Sequence, residues 1–120
     1  MPAVAAITTH VLDTTRGLPA AGLQIQLHRL EPSERVLVAT VTTNADGRTD
    51  TPLLSGDAIP TGRYELTFHA GAYLRGLGLS LPEPAFLDDI VIRFGIADAA
   101  ANYHVPLLLS PHAYSTYRGS

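Results

Sequence analysis

The sequence predicts an all-β sandwich. Three observations lead there: several short runs alternate apolar and polar residues with a period of two, turn chemistry fills the breaks between them, and only one segment could be helical. The 120 residues, 46% of them hydrophobic, suit one core, so a single domain over residues 1–120 is expected.

The elements follow in order along the chain. Ile7 to Leu12 is the first alternating run. After the Thr-, Arg-, Gly- and Pro-bearing turn Asp13 to Pro19, Leu23, Ile25 and Leu27 alternate with Gln24, Gln26 and His28. Glu31-Pro32-Ser33-Glu34 makes a hairpin connection into Val36 to Thr43, a Val- and Thr-rich strand. Asn44-Ala45-Asp46-Gly47 is a strong turn signal. Tyr64, Leu66 and Phe68 then point one way, and Glu65, Thr67 and His69 the other. Gly71 to Gly78 is the one helical candidate, with Tyr73, Leu74 and Leu77 as its stripe; at about two turns it must dock on a sheet to persist. Ile90, Ile92, Phe94 and Ile96 form the longest alternation. Tyr103 to Leu109 and Ala113 to Arg118, separated by Ser110-Pro111, complete the set.

Tyr103 to Leu109 departs from the alternation, because both of its faces are largely apolar. A two-layer sandwich covers one face of each sheet, so the second face is predicted to meet another subunit. Pro106 cannot donate to a ladder and fits an edge or an irregular position.

Composition excludes several classes. A net charge of -3 gives no basic footprint for nucleic acid. All eight basic residues are arginine, the side chain suited to gripping carboxylates and oxyanions. With no cysteine there is no disulfide, no thiolate metal site and no cysteine nucleophile. No apolar run approaches the roughly 20 residues of a membrane span, and the start, Met1 to Ile7, has no basic flank before it. A cytoplasmic protein that binds no membrane is expected.

The polar residues that stand out are His10, Arg48, His104 and the terminal Tyr117-Arg118-Gly119-Ser120. Imidazole titrates near neutrality and suits proton transfer. By parity His10 shares a face with Thr8 and Leu12, and His104 shares one with Pro106 and Leu108. Two histidines on outward faces of apolar strands could line a groove between subunits, or each could be satisfied singly by a carbonyl or water. Arg48, just past the Asp46-Gly47 turn, could present its fork to an anionic substrate or pair with Asp46 or Asp50. The tail could be functional or a frayed terminus. His28 and His69 fall on outer faces, in expected contact with solvent, and His112 sits in the loop before the last strand. A tri-histidine zinc site from His10, His104 and His112 lacks both motif spacing and a clear carboxylate to hold the ligating rings in place, so no metal is expected. No Gly-x-Ser-x-Gly nucleophile elbow occurs.

Taken together, Thr9-His10-Val11-Leu12-Asp13 with Gly17-Leu18-Pro19-Ala20, the Asn44-Ala45-Asp46-Gly47-Arg48 turn, and Tyr103 to Pro111 running on to Tyr114 through Ser120 resemble the three motifs of the transthyretin-related proteins. The resemblance covers essentially the whole chain, in order. Its specific part is the terminal Tyr-Arg-Gly-Ser, which in the family marks the 5-hydroxyisourate hydrolase branch and is absent from the thyroid-hormone carrier transthyretin. It implies a transthyretin-like sandwich of about eight strands in two sheets with one short helix, assembled as a homotetramer, a dimer of dimers with sites in the channel between dimers. It also implies cofactor-free hydrolysis of 5-hydroxyisourate to 2-oxo-4-hydroxy-4-carboxy-5-ureidoimidazoline in urate catabolism. His10, Arg48 and His104 match the family's catalytic positions, and His10, Arg48, Tyr117 and Ser120 those that hold substrate. Two departures stand out: Leu81 to Leu87 carries two prolines where many members are aromatic-rich, and His112 stands where Phe or Tyr is common. The rival expectations are a carrier that binds a small aromatic ligand in the channel without turning it over, and a structural sandwich that only self-associates.

Overall fold

A computed structural model describes residues 5–119. The described residues form eleven short strands and one helix: β1 (Ala5–Thr8), β2 (Val11–Asp13), β3 (Leu18–Pro19), β4 (Gln24–Leu30), β5 (Arg35–Thr42), β6 (Leu54–Gly56), β7 (Gly62–His69), α1 (Ala70–Gly76), β8 (Asp89–Ile96), β9 (Tyr103–His104), β10 (Leu107–Leu109) and β11 (Tyr114–Thr116). One layer is the antiparallel sheet β5-β4-β7-β8. The other consists of two smaller sheets, β6-β1-β9 and β11-β10-β2-β3.

Those two smaller sheets run into one another. β1 and β2 are halves of one strand interrupted at Thr9 and His10, and β9 and β10 are halves of another interrupted at Val105 and Pro106. Hydrogen bonding bridges the gap: Val105 N donates to Thr8 O and Leu107 N to His10 O, each at 2.9 Å. The ladder breaks because Pro106 has no N–H to offer, while the Thr9 hydroxyl takes the Val105 carbonyl at 2.7 Å and Val11 N turns to Gly47 O at 2.8 Å. With each interrupted strand counted once, and the two-residue β3 set aside, the architecture is the expected eight-stranded sandwich.

Strand parity builds the core. Ile7, Val11, Leu107 and Leu109 from one layer and Ile25, Leu27, Tyr64, Leu66 and Phe68 from the other are all fully buried in one cluster. The outward set (Thr8, His10, Leu12, His104 and Leu108) is half-buried, as the alternation predicts. Helix α1 docks through Tyr73 and Leu74. It is anchored to β2 of the other layer by a network in which Tyr73 OH donates to Asp13 Oδ2 (2.9 Å) and Arg16 Nε donates to the same oxygen (3.0 Å).

Some elements differ from the sequence reading. β6 carries no alternation long enough to register, and β3 lies inside the stretch read as a turn. The last strand is shorter than Ala113 to Arg118 and wholly exposed. His28, expected to contact solvent, is buried at 8% exposure, and its Nδ1 has no hydrogen-bond partner among the described residues. It does face outward, but its cross-strand neighbours are Leu37 and Glu65, and Glu65 is itself buried between Arg35 and Arg93. His69 is likewise not simply solvated; it bonds Asp89 Oδ1 at 2.9 Å and Gln26 Oε1 at 3.2 Å.

Candidate active site

The strand interruption places the site. β1 and β9 are parallel, and Thr8 and His104 are register partners, so both side chains emerge side by side on the outward face. The Thr8 hydroxyl meets His104 Nδ1 at 2.9 Å. One strand-half further on, His10 Nε2 contacts the carbonyl oxygen of Asp46 at 2.9 Å. A carbonyl only accepts, so His10 Nε2 carries a proton and donates it to Asp46.

Arg48 is delivered by the Asn44–Arg48 turn. Asn44 Oδ1 accepts from Asp46 N (2.9 Å) and Arg48 N (3.2 Å), and Asn44 N donates to Arg48 O at 2.8 Å. Gly47 has φ +75°, and a Cβ there would collide with the Val11 carbonyl, so only glycine lets this turn lie against β2. Among the described residues Arg48 pairs with neither Asp46 nor Asp50; Asp50 instead accepts from Asn44 Nδ2 at 3.0 Å. The exposed guanidinium is left to face the cleft.

That cleft, about 600 Å³, is lined by Ala6, Thr8, Arg48, Pro52, Ser55, Asn102 and His104. Burial first, then the positive fields of Arg48 and His10, hold the His104 imidazole below the ordinary histidine value. The neutral ring is therefore favoured, which suits an acceptor of protons. A larger cleft of about 860 Å³ lies between Leu30–Pro32, Gly62–Arg63 and Arg93–Gly95, but it holds no histidine or hydroxyl. Convergent chemistry, not volume, marks the smaller one.

The tail is tied down. Gly119 N donates to His104 O at 2.7 Å, Arg118 Nη2 donates to Asn102 O at 3.1 Å, and the Arg118 guanidinium lies 4.3 Å over the Tyr103 ring. Gly119 packs directly on the His104 ring. Tyr117 is 60% exposed and lines a neighbouring cleft with Ile92 and Phe94 at the β8 edge. Ser120 lies outside the described residues. His112 sits against Phe86, ring centroids 6.0 Å apart, and among the described residues no three His, Asp or Glu side chains converge as metal ligands.

Arg48 and His104 thus share one cleft, and His10 stands close enough to act on His104 through its field. Thr8, Ser55 and Asn102 join them without having been singled out from the sequence. Only Thr8 had a signal, its shared parity with His10; Ser55 and Asn102 come from segments with no periodicity.

Residues 7–119 match the family described as HIUase/Transthyretin. The chain belongs to that family. A relative named 5-hydroxyisourate hydrolase 2, from Rhizobium meliloti (strain 1021), is 62% identical over 114 residues, covering 95% of each chain. A solved 5-hydroxyisourate hydrolase from Klebsiella pneumoniae is 35% identical with a TM-score of 0.79, over 97% of this chain and 100% of that one. The crystal structure of an (S)-allantoin synthase superposes with a TM-score of 0.91 at 46% identity, covering 99% of this chain but 45% of that one. This family member therefore spans less than half the length of that protein and nearly the full length of the hydrolases.

Proposed function

We propose that this protein hydrolyses 5-hydroxyisourate in purine catabolism, with no cofactor, at the cleft shared by Arg48 and His104. The observation that carries the reading is one cleft lined by both the His104 imidazole and the Arg48 side chain, which has no ion-pair partner among the described residues, in a chain 62% identical to a named 5-hydroxyisourate hydrolase.

In the proposed reaction, His104 Nε2 takes a proton from water as the oxygen adds to the ring amide carbonyl. Arg48 stabilises the oxyanion of the tetrahedral intermediate. The carbon–nitrogen bond then breaks, and the proton held on His104 passes to the leaving nitrogen, so the catalyst ends as it began. His10, whose Nε2 is committed to the Asp46 carbonyl, presents Nδ1 to orient the water or a substrate N–H. Ser120, directly after the Gly119 that lies on His104, holds the substrate; Tyr117, on the neighbouring cleft in the protomer, contributes through a subunit contact.

The functional unit is proposed to be a homotetramer, a dimer of dimers. Leu12 and Leu108, register partners, stand half-buried side by side on the outward face, and among the described residues β8 and β11 each pair on one edge only. Joining such faces removes apolar surface from water, and joining such edges satisfies open backbone groups. No helix of the described residues is long and apolar enough to cross a membrane, and a cytoplasmic setting is proposed.

The test is spectrophotometric. 5-Hydroxyisourate is made in place from urate with a urate oxidase, and its ultraviolet decay is followed with wild type, His104→Ala and no protein. Acceleration by wild type alone supports the reading; decay at the spontaneous rate with folded protein refutes it and favours the carrier. Light scattering gives the assembly, whose expected mass is four times 12.8 kDa.

A further inference from the structure

We propose that Thr8 is a positioning residue for His104: its hydroxyl accepts the proton-bearing Nδ1, holding the ring in the tautomer whose Nε2 is bare toward the cleft. The proposal rests on the hydrolase reading, because a base needs that nitrogen unprotonated.

The geometry is specific to this pair. Thr8 and His104 are register partners on the parallel strands β1 and β9. Their backbones are clamped by Val105 N to Thr8 O at 2.9 Å on one side of His104 and by Gly119 N to His104 O at 2.7 Å. The hydroxyl lies 2.9 Å from Nδ1. Gly119 closes the other flank, since a Cβ built there would stand 2.5 Å from His104 Cδ2. The ring has little room to flip, so Nδ1 stays with Thr8 and Nε2 is the nitrogen left for the cleft. The neighbouring Thr9 is spent on the Val105 carbonyl at 2.7 Å; Thr8 is the hydroxyl available to the imidazole.

A hydroxyl also suits the task chemically. A carboxylate against Nδ1 would fix the tautomer but stabilise the imidazolium, opposing the burial and positive charge that favour the neutral ring here. A neutral hydroxyl accepts from Nδ1–H before and after Nε2 gains its proton, so the ring need not turn during the cycle. Its own hydrogen stays free to donate into the cleft that Thr8 lines.

The experiment uses the full-length protein with ¹⁵N-labelled histidine, as wild type, Thr8→Val and Thr8→Ser, with fold checked by circular dichroism. Long-range ¹H–¹⁵N spectra at a pH where His104 is neutral read the tautomer. Wild type and Thr8→Ser should show Nδ1–H; Thr8→Val should shift toward Nε2–H. On 5-hydroxyisourate, Thr8→Val should lower kcat about ten- to a hundredfold, less than loss of the base itself, with KM nearly constant, and Thr8→Ser should restore most of it. A Thr8→Val protein that keeps the Nδ1–H tautomer or wild-type kcat overturns the proposal, as does failure of Thr8→Ser to rescue. If wild type does not accelerate the decay, the hydrolase reading falls, while the spectra still decide whether Thr8 sets the ring.

Discussion

Gly119→Ala is the sharpest perturbation the structure offers. A Cβ at position 119 would stand 2.5 Å from His104 Cδ2 and 3.1 Å from both His104 Cβ and Cγ. Non-bonded carbons rest about 3.5–4.0 Å apart, so the ring or the tail must retreat by roughly 1 Å. The ring cannot yield without stretching the Thr8 contact, and the tail cannot yield without breaking the bond from Gly119 N to His104 O. Either movement displaces groups of the proposed site. A misplacement of about 1 Å costs on the order of a hundredfold in rate, equivalent to about 2.7 kcal/mol of transition-state stabilisation. Position 119 has no left-handed backbone, so the effect is steric and local, and global stability should fall by no more than the worth of one hydrogen bond, about 0.5–1.5 kcal/mol. The assay is the ultraviolet decay of 5-hydroxyisourate, with thermal unfolding run in parallel. If Gly119→Ala retains activity within about threefold of wild type, the tail does not seat His104 and the reasoning fails. Lost activity accompanied by a large fall in Tm refutes it equally, because the damage would then be global.

Three further outcomes are expected. Arg48 helps hold His104 below the ordinary histidine value, so the acid limb of kcat/KM for wild type should lie below pH 6.5; Arg48→Met removes a positive neighbour, raises that value and moves the limb of the residual activity to higher pH, and an unmoved limb contradicts this. Gly47→Ala forces φ +75° on an alanine and drives its Cβ into the Val11 carbonyl, so denaturant unfolding should show a loss of about 1–3 kcal/mol along with reduced activity as the Arg48 turn shifts. For Asp13, burial alone would raise the carboxyl, but hydrogen bonds from Arg16 and Tyr73 outweigh it and hold it below the usual value of 3.8. Its contribution is therefore complete above the unfolded-state value and lost as pH falls through the lower folded one. Asp13→Ala should cost about 2 kcal/mol, discounted for the partly exposed Arg16, and a stability difference from wild type that does not narrow as pH falls below 3.8 counts against this account.

Much of the fold was legible because its cause is local. Period-two alternation sets which side of a strand is apolar, and in β1/β2, β4, β7 and β8 it placed the core residues correctly. Helix α1 was readable from Tyr73 and Leu74, although it runs from Ala70 to Gly76 rather than from Gly71 to Gly78 and leaves Leu77 at its C-cap. What failed had causes elsewhere in the chain. β6 exists because Leu54 to Gly56 pairs with β1, and nothing within those three residues announces a strand. His28 looked solvent-facing because parity reports the side of the sheet, not what covers it, and Leu37 and Glu65 arrive from other strands.

The site divides in the same way. The sequence alone determined that His10 and His104 stand outward on apolar strands and that Arg48 follows a glycine-bearing turn, while the resemblance, through the order of its motifs, implied that the terminal Tyr-Arg-Gly-Ser belongs with them. Those properties follow from side-chain parity, backbone sterics at Gly47 and the order of motifs, all written in neighbouring residues. Only the tertiary structure decided that residue 8 meets residue 104, that Gly119 lies against the same imidazole, and that His10 is committed to Asp46. Those contacts join positions 15 to 96 residues apart. Their partners are chosen by the register of parallel strands interrupted at Pro106, a long-range pairing that no local pattern encodes.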